Sequence, residues 1–237
     1  MIYYFAGGDA SPKDLETAIN VGATNFLISY HYRRNHKRVL EMIRKHGCHV
    51  LLDSGAFSAW KNGFEIELEE YIQYIRECGI GKYMSLDVVG DIEKTNYNFY
   101  KMVDSGLYPI PVFHMGDDWV HLEKLCKEFP YIAIGGTVGR HEKVRRNFFG
   151  ELFERFPNHK FHGLGVSSNK LISEFPFFTV DGASWVYGRT FYMLVDENGW
   201  KKVPKEEALP PYERLVPNIQ FFIKREKEIT LQRMNLL

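Results

Sequence analysis

The chain has 237 residues, with 30 Lys and Arg against 30 Asp and Glu and a formal net charge of +0. Balanced charge gives no global basic field, so any polyanionic partner has to be held by a local patch. Hydrophobic residues at 45% and charged residues at 25% exclude a disordered or fibrous chain, and no apolar run approaches the ~20 residues of a membrane span.

The N-terminus carries no leader pattern and enters a strand-like run at once, Ile2–Ala6. Further β-branched and aromatic runs follow at Asn25–Ser29, His49–Asp53, Tyr83–Asp87, Ile110–His114, Ile132–Gly136, Phe161–Val166 and Phe177–Asp181, which makes eight predicted strands. The segments between them read as helices. The first opens on Ser11-Pro12-Lys13-Asp14, a serine N-cap with proline at N1, places Leu15, Ala18 and Ile19 on one face and stops at Gly22. Glu67–Cys78 sets Leu68, Tyr71, Ile72 and Ile75 on one stripe and ends at Gly79. Eight βα units in this length predict one α/β domain over residues 1–237, a (β/α)8 TIM barrel, with a doubly wound open sheet as the rival. After Asp181 the rhythm breaks. Thr190–Val195 and Trp200–Val203 flank Asp196-Glu197-Asn198-Gly199 and predict a β-hairpin insertion with an Asn-Gly turn. Pro204, Pro210 and Pro211 follow, then an amphipathic helix over roughly Leu215–Met234 that would close the barrel. Cys48, Cys78 and Cys126 have no CxxC spacing, which predicts free thiols in a reducing cytoplasm and no metal site.

Chemistry in parallel α/β folds collects at the carboxyl ends of the strands. Those ends offer Asp53, Ser54 and Phe57 after strand three, Asp87 after strand four and His114 after strand five. Gly135 and Gly136 follow strand six, His162 lies on strand seven, and Asp181 ends strand eight. Such a set suits a flat purine. A carboxylate matches the N1–H and N2–H₂ donors of guanine, glycine amides can approach O6, and an aromatic ring can stack. Two further carboxylates suit an anomeric carbon, one attacking and one shuttling a proton.

These residues carry a resemblance. Asp53-Ser54-Gly55-Ala56-Phe57 resembles the Asp-Ser-Gly-Gly-Phe/Tyr motif of queuine tRNA-ribosyltransferases, the tRNA-guanine transglycosylases. Ala133-Ile134-Gly135-Gly136-Thr137-Val138-Gly139 resembles their Ala-Ile-Gly-Gly-Leu-x-Val-Gly, and His162-Gly163-Leu164-Gly165 is similar to their Met-Gly-Val-Gly. The order runs in register from about residue 50 to 185. The chain is closer still to the shorter DNA-acting relatives, the deoxypurine-in-DNA protein A group of phages and bacteria. It shares their size, an Asp-x-x-Ser-Trp stretch (Asp181 to Trp185) and a Phe-His-x-Gly segment (Phe113 to Gly116).

The resemblance implies a (β/α)8 barrel that exchanges guanine in DNA for a 7-deazaguanine of the preQ0 type, with no cofactor. Asp181 would be the nucleophile at C1′ and Asp53 the acid/base. Asp87 would bind the N1/N2 edge, Gly135 and Gly136 would meet O6, Ser54 would assist base binding and Phe57 would stack. His114 falls at a base-binding glutamine and His162 at a stacking methionine. The tRNA enzymes carry a Cys-x-Cys-x-x-Cys plus His zinc site near the C-terminus, for which a chain whose last cysteine is Cys126 has no ligands. That departure favours DNA, with tRNA as the alternative partner. Ala56 and Ser58 replace a glycine and a glutamine of the motif, which leaves base specificity open.

Two basic stretches, His31–Arg38 and Arg140–Arg146, start at the same strand ends. Arg33, Arg34 and Arg140 are candidate phosphate contacts, with Tyr30, Tyr32 and Trp185 as aromatics for a flipped nucleotide and Arg189 as a further contact by position. The bland readings stand beside these. An aspartate after a strand is often a turn or cap residue, a buried histidine is often only core, a basic stretch is often a solvated helix face, and Gly135-Gly136 is compatible with a tight turn. A non-catalytic barrel that binds nucleic acid or a partner, and a glycoside hydrolase-like barrel, complete the alternatives. The expected setting is the cytoplasm of a bacterial or phage-infected cell, with room for a homo-oligomer or a helper protein.

Overall fold

The computed structural model describes residues 1–235. The β-branched and aromatic runs form seven parallel strands: β1 (Ile2–Ala6), β2 (Asn25–Ser29), β3 (His49–Asp53), β4 (Val112–His114), β5 (Tyr131–Gly135), β6 (Lys160–Gly163) and β7 (Thr179–Gly182). They make one curled sheet in the order β3-β2-β1-β7-β6-β5-β4. Parallel neighbours need crossovers, and helices supply them: α1 (Pro12–Val21), α2 (His36–Lys45), α3 (Ala56–Lys61), α4 (Leu68–Cys78), α5 (Ile92–Asp104), α6 (Trp119–Glu128), α7 (Glu142–Arg155) and α8 (Asn169–Glu174). Ser11 takes the N-cap place of α1 without a side-chain cap bond, whereas Asp91 caps α5 by accepting from Lys94 N.

Strand residues alternate between two cores. Phe26, Ile28, Leu52, Ile132, Ile134 and Val180 face the helices. Tyr4, Ala6, Leu27, Leu51, Met84, Val112 and Ala133 form a separate inner cluster enclosed by the sheet. Two residues further along the same inward faces come Ser29, Asp53, His114 and Gly135. The inside of the curl is therefore apolar below and polar at the carboxyl end.

The expected strand Tyr83–Asp87 does not form as a strand. Two single parallel bridges, Leu52 to Tyr83 and Met84 to Ile110, link the sheet edges there. Ser85 N still donates to Ile110 O at 2.9 Å, and from Leu86 on the backbone bonds to side chains of α5 instead of a neighbouring strand. Leu86 N donates to Met102 Sδ, Asn98 Nδ2 donates to Leu86 O at 3.0 Å, and Val88 N donates to Thr95 Oγ1 at 2.9 Å. Pro111 shortens the next strand, since it has no N–H for a ladder.

After β7 the chain passes through α9 (Tyr187–Phe191), which takes up Thr190 and Phe191 that the sequence pattern assigned to a strand. A hairpin of β8 (Met193–Asp196) and β9 (Gly199–Lys202) follows, paired antiparallel. Helix α10 (Leu215–Met234) packs back on α1 and β1, where Phe222 stacks on Tyr3 at 4.5 Å. One fully buried side chain ties these pieces together. Asn218 Nδ2 donates to Trp185 O and Met193 O, and its Oδ1 accepts from Val195 N at 2.9 Å. Asn218→Ala strands three buried backbone groups. It is expected to cost about 2–4 kcal/mol, read as a lower denaturant midpoint with an unchanged m-value.

Candidate active site

Three aspartates meet at the carboxyl end of the curl, and each is held differently. Asp53 ends β3 beside Ser29 of β2, its register partner. Its Oδ2 accepts from Ser29 Oγ at 3.1 Å and from Gly55 N at 2.9 Å. The turn needs glycine at residue 55, where φ is +79° and a Cβ would lie 2.9 Å from His31 N. Burial pushes the Asp53 carboxyl up, the charges of Asp87 and Asp181 push it further, and it reaches about 7 despite the two hydrogen bonds.

Asp87 follows the bridged segment. Ser54 Oγ donates to its Oδ1 at 2.7 Å, and His114 Nε2 lies 2.9 Å from its Oδ2. Burial lowers the His114 pKa, but the hydrogen bond and charge of Asp87, with the charge of Asp117, outweigh it and raise the net value. Gly135 makes room for that imidazole, because a Cβ there would sit 2.8 Å from His114 Cδ2. Gly136, at φ +73°, turns back against Met115.

Asp181 is on β7 and nearly buried. Its Oδ1 accepts from Gly165 N at 2.9 Å and from His162 Nε2 at 3.2 Å. Its Oδ2 has no hydrogen-bond partner among the described residues and is not sealed from solvent. Phe57, on the first turn of α3, is 47% exposed and leans on the exposed Trp60 ring. Beside the mouth, Trp60, Phe64, Tyr97, Leu86 and Asp87 line a cavity of about 260 Å³.

The structure brings Asp53, Ser54, Asp87, His114, Gly135 and Asp181 together but alters five of the expected placements. Ser54 is fully buried and spends its hydroxyl on Asp87, so it positions that carboxylate instead of touching a base. His162 is also fully buried, hydrogen-bonded beneath Asp181, and cannot stack on a ligand. Trp185 is sealed in the outer core with its indole N–H on Ala6 O at 2.8 Å, so it is no platform for a nucleotide; Tyr30 is buried as well. Arg189 is fixed to the buried Asp14 at 2.6 Å and braces α1. Arg33 and Arg34, in a short 3-10 helix after β2, and Arg140, on the loop after β5, remain exposed at the mouth, with Arg33 stacked over Tyr30 at 4.4 Å.

The sequence reading passed over Ser29, Thr179 and Tyr131. Ser29 is the last residue of a predicted strand, so the same strand-end rule would have found it. Thr179 and Tyr131 lie deeper in the curl and carry no such signal. No group of three or more His, Cys, Asp or Glu side chains is arranged to hold a metal among the described residues, and the three cysteines are free. No helix among the described residues is long and apolar enough to cross a membrane.

No protein-family model matches the chain, and no curated protein matches it. Solved structures do. The native KDPGal structure aligns at a TM-score of 0.59 and 9% identity, over 98% of this chain and 97% of that one. A 4-hydroxy-2-oxoglutarate/2-dehydro-3-deoxyphosphogluconate aldolase aligns at 0.55 and 11%, over 92% and 90%. A mutant tryptophan synthase α-subunit from Pyrococcus furiosus aligns at 0.56 and 13%, over 94% and 97%. Identities this low carry the fold alone: the chain has a TIM-barrel-like α/β fold.

The raised Asp53 carboxyl has a consequence that needs no substrate. Between the ordinary carboxylate range and about 7, the folded chain keeps a proton that the unfolded chain releases, so stability falls as pH rises through that window. Asp53→Asn keeps the acceptor oxygen and removes the charge. Its melting temperature is expected to exceed wild type by a few degrees above about pH 8 and to lose that advantage below about pH 4. Thermal melts across this range check it.

Proposed function

We propose that the chain is a nucleic-acid base transglycosylase that exchanges guanine in DNA for a 7-deazaguanine of the preQ0 type. The observation that carries the reading is the division of labour between two aspartates at one mouth. Asp181 is held through one oxygen with the other left open, whereas Asp53 titrates near neutrality at about 7. A nucleophile needs the first property and a proton shuttle the second.

Asp181 Oδ2 attacks C1′ of a flipped nucleotide. The C1′–N9 bond breaks, its electron pair stays on N9, and protonated Asp53 supplies the proton that releases guanine. The incoming 7-deazaguanine then gives its N9 proton to Asp53, attacks C1′ and expels the Asp181 carboxylate. Asp87 offers an acceptor to the base edges, His114, its pKa raised beside that carboxylate, offers a donor when protonated, and Phe57 offers a stacking face. Flipping costs a few kcal/mol of unstacking. Arg33, Arg34 and Arg140 supply the local positive charge that a chain of zero net charge requires.

The names of the structural neighbours suggest an aldolase as a second reading. Schiff-base chemistry needs a lysine among the strand ends. Residues Ala6, Ser29, Asp53, His114, Gly135, Gly163 and Gly182 occupy those ends, and Lys160 starts its strand at the opposite side. The carboxylates therefore favour glycosyl transfer.

The test is incubation with guanine-radiolabelled DNA and, in parallel, labelled tRNA, each with excess preQ0. Wild type is expected to release guanine from DNA, and Asp181→Ala to lose at least about 10³-fold in rate. Release from tRNA alone would reassign the substrate. A folded wild type that releases nothing from either would leave a barrel without this activity. Among the basic residues, Arg34→Ala and Arg140→Ala should each weaken DNA binding and reduce the salt slope by about 1. Arg189→Ala should lower the melting temperature and leave that slope unchanged, as fluorescence anisotropy against salt would read.

A further inference from the structure

A chain of hydrogen bonds runs through the inside of the curl, up to Asp181. Thr179 and Asp181 are two apart on β7 and face the same way, and Thr179 is the register partner of His162 on β6. His162 Nε2 lies 3.2 Å from Asp181 Oδ1, His162 Nδ1 lies 2.6 Å from Thr179 Oγ1, and Thr179 Oγ1 lies 2.5 Å from the Tyr131 hydroxyl.

The chemistry of these groups fixes the direction of the chain. An ionised carboxylate only accepts, so a neutral His162 must carry its proton on Nε2. Its Nδ1 then accepts, and the one hydroxyl hydrogen of Thr179 goes to it. Thr179 can take a bond from Tyr131 only if Tyr131 donates. Burial raises the Tyr131 pKa, which keeps that hydroxyl protonated and able to donate. With His162 neutral, each group along the chain has one assignment, and all donors point toward Asp181.

We propose that His162, locked in its Nε2–H form by Thr179 and Tyr131, is the positioning residue of Asp181. This rests on the transglycosylase reading above. With the Gly165 amide it occupies Oδ1 and aims Oδ2 at C1′. In the covalent adduct Oδ2 is esterified, and Oδ1 becomes the ester carbonyl. When the incoming base expels the carboxylate, negative charge returns to Oδ1 in front of two donors that are already aligned. The His162 donor therefore assists the second displacement more than the first, because hydrogen bonds to a carboxylate are stronger than those to an ester carbonyl.

Turnover and adduct share together distinguish a positioning His162 from a residue that only fills space. His162→Leu is expected to slow turnover by about 10- to 100-fold, the effect of losing one charge-assisted bond. At the same time the acid-trapped adduct should form a larger share of the enzyme at steady state. His162→Gln, which restores a donor, should recover part of the rate and lower the trapped share. A merely structural role would lower the amount of active enzyme without raising the adduct share. His162→Leu with wild-type turnover and adduct share would overturn the proposal.

The second measurement is the ¹⁵N spectrum of His162 in the wild-type protein and in Thr179→Val, which needs no substrate. An Nε2–H tautomer in wild type supports the chain, and an Nδ1–H tautomer overturns it whatever the activity. If the wild type shows that tautomer but neither exchanges base nor forms an adduct, the transglycosylase reading and the role at Asp181 fall together and only the hydrogen-bond chain stands. Exchange by the wild type without the tautomer sinks the positioning role alone.

Discussion

Crowding three carboxylates into one partly buried space is the constraint around which this end of the molecule is built. Burial raises the cost of ionising Asp53, the charges of Asp87 and Asp181 add to it, and the carboxyl is pushed up to about 7. The remaining two are held by donors from neighbouring strands and loops: Ser54 and His114 for Asp87, His162 and the Gly165 amide for Asp181. Asp53 is tied by Ser29 Oγ and the Gly55 amide, and burial places its change of charge near neutral pH.

That division depends on the sheet. In a parallel curl all carboxyl ends open on one side, so residues far apart in the chain become neighbours at one rim. The inner cluster of Leu27, Leu51, Met84, Val112 and Ala133 fills the space beneath and gives the rim an apolar floor. Glycines set the clearances. Gly135 leaves space for the His114 imidazole, and Gly182 admits Tyr3 and Ser167, each closer than 3 Å to where a Cβ would lie. These positions are small because side chains already occupy the space, and this also accounts for Gly135 without any ligand.

The outer elements serve the rim indirectly. Arg189 and Trp185 follow Asp181 in the chain, and their nearness in sequence suggested contact with a substrate. Both face away, into the seam where α1, α9 and α10 meet: Trp185 on Ala6 O and Arg189 on Asp14. The exposed basic surface at the rim is correspondingly narrow. It consists of the short 3-10 helix after β2 with Arg33 and Arg34 and the loop after β5 with Arg140, beside the exposed rings of Phe57 and Trp60.

The sequence by itself determined the strand runs, the helix stops at Gly22 and Gly79, and the placing of Asp53, His114, Gly135 and Asp181 at or near strand ends. These follow from local periodicity and turn chemistry, which need only a few adjacent residues. Tertiary structure alone decided what each group touches. The Tyr83–Asp87 run is strand-like in composition, yet α5 side chains captured its backbone and left two bridges in place of a strand. His162 was expected to face a ligand. The β6–β7 register instead set it below Asp181, and no pattern within either strand encodes the register between them. Whether a polar side chain turns to solvent or to a buried partner depends on what packs across from it, and the partners of His162, Arg189 and Trp185 lie 17, 175 and 179 residues away.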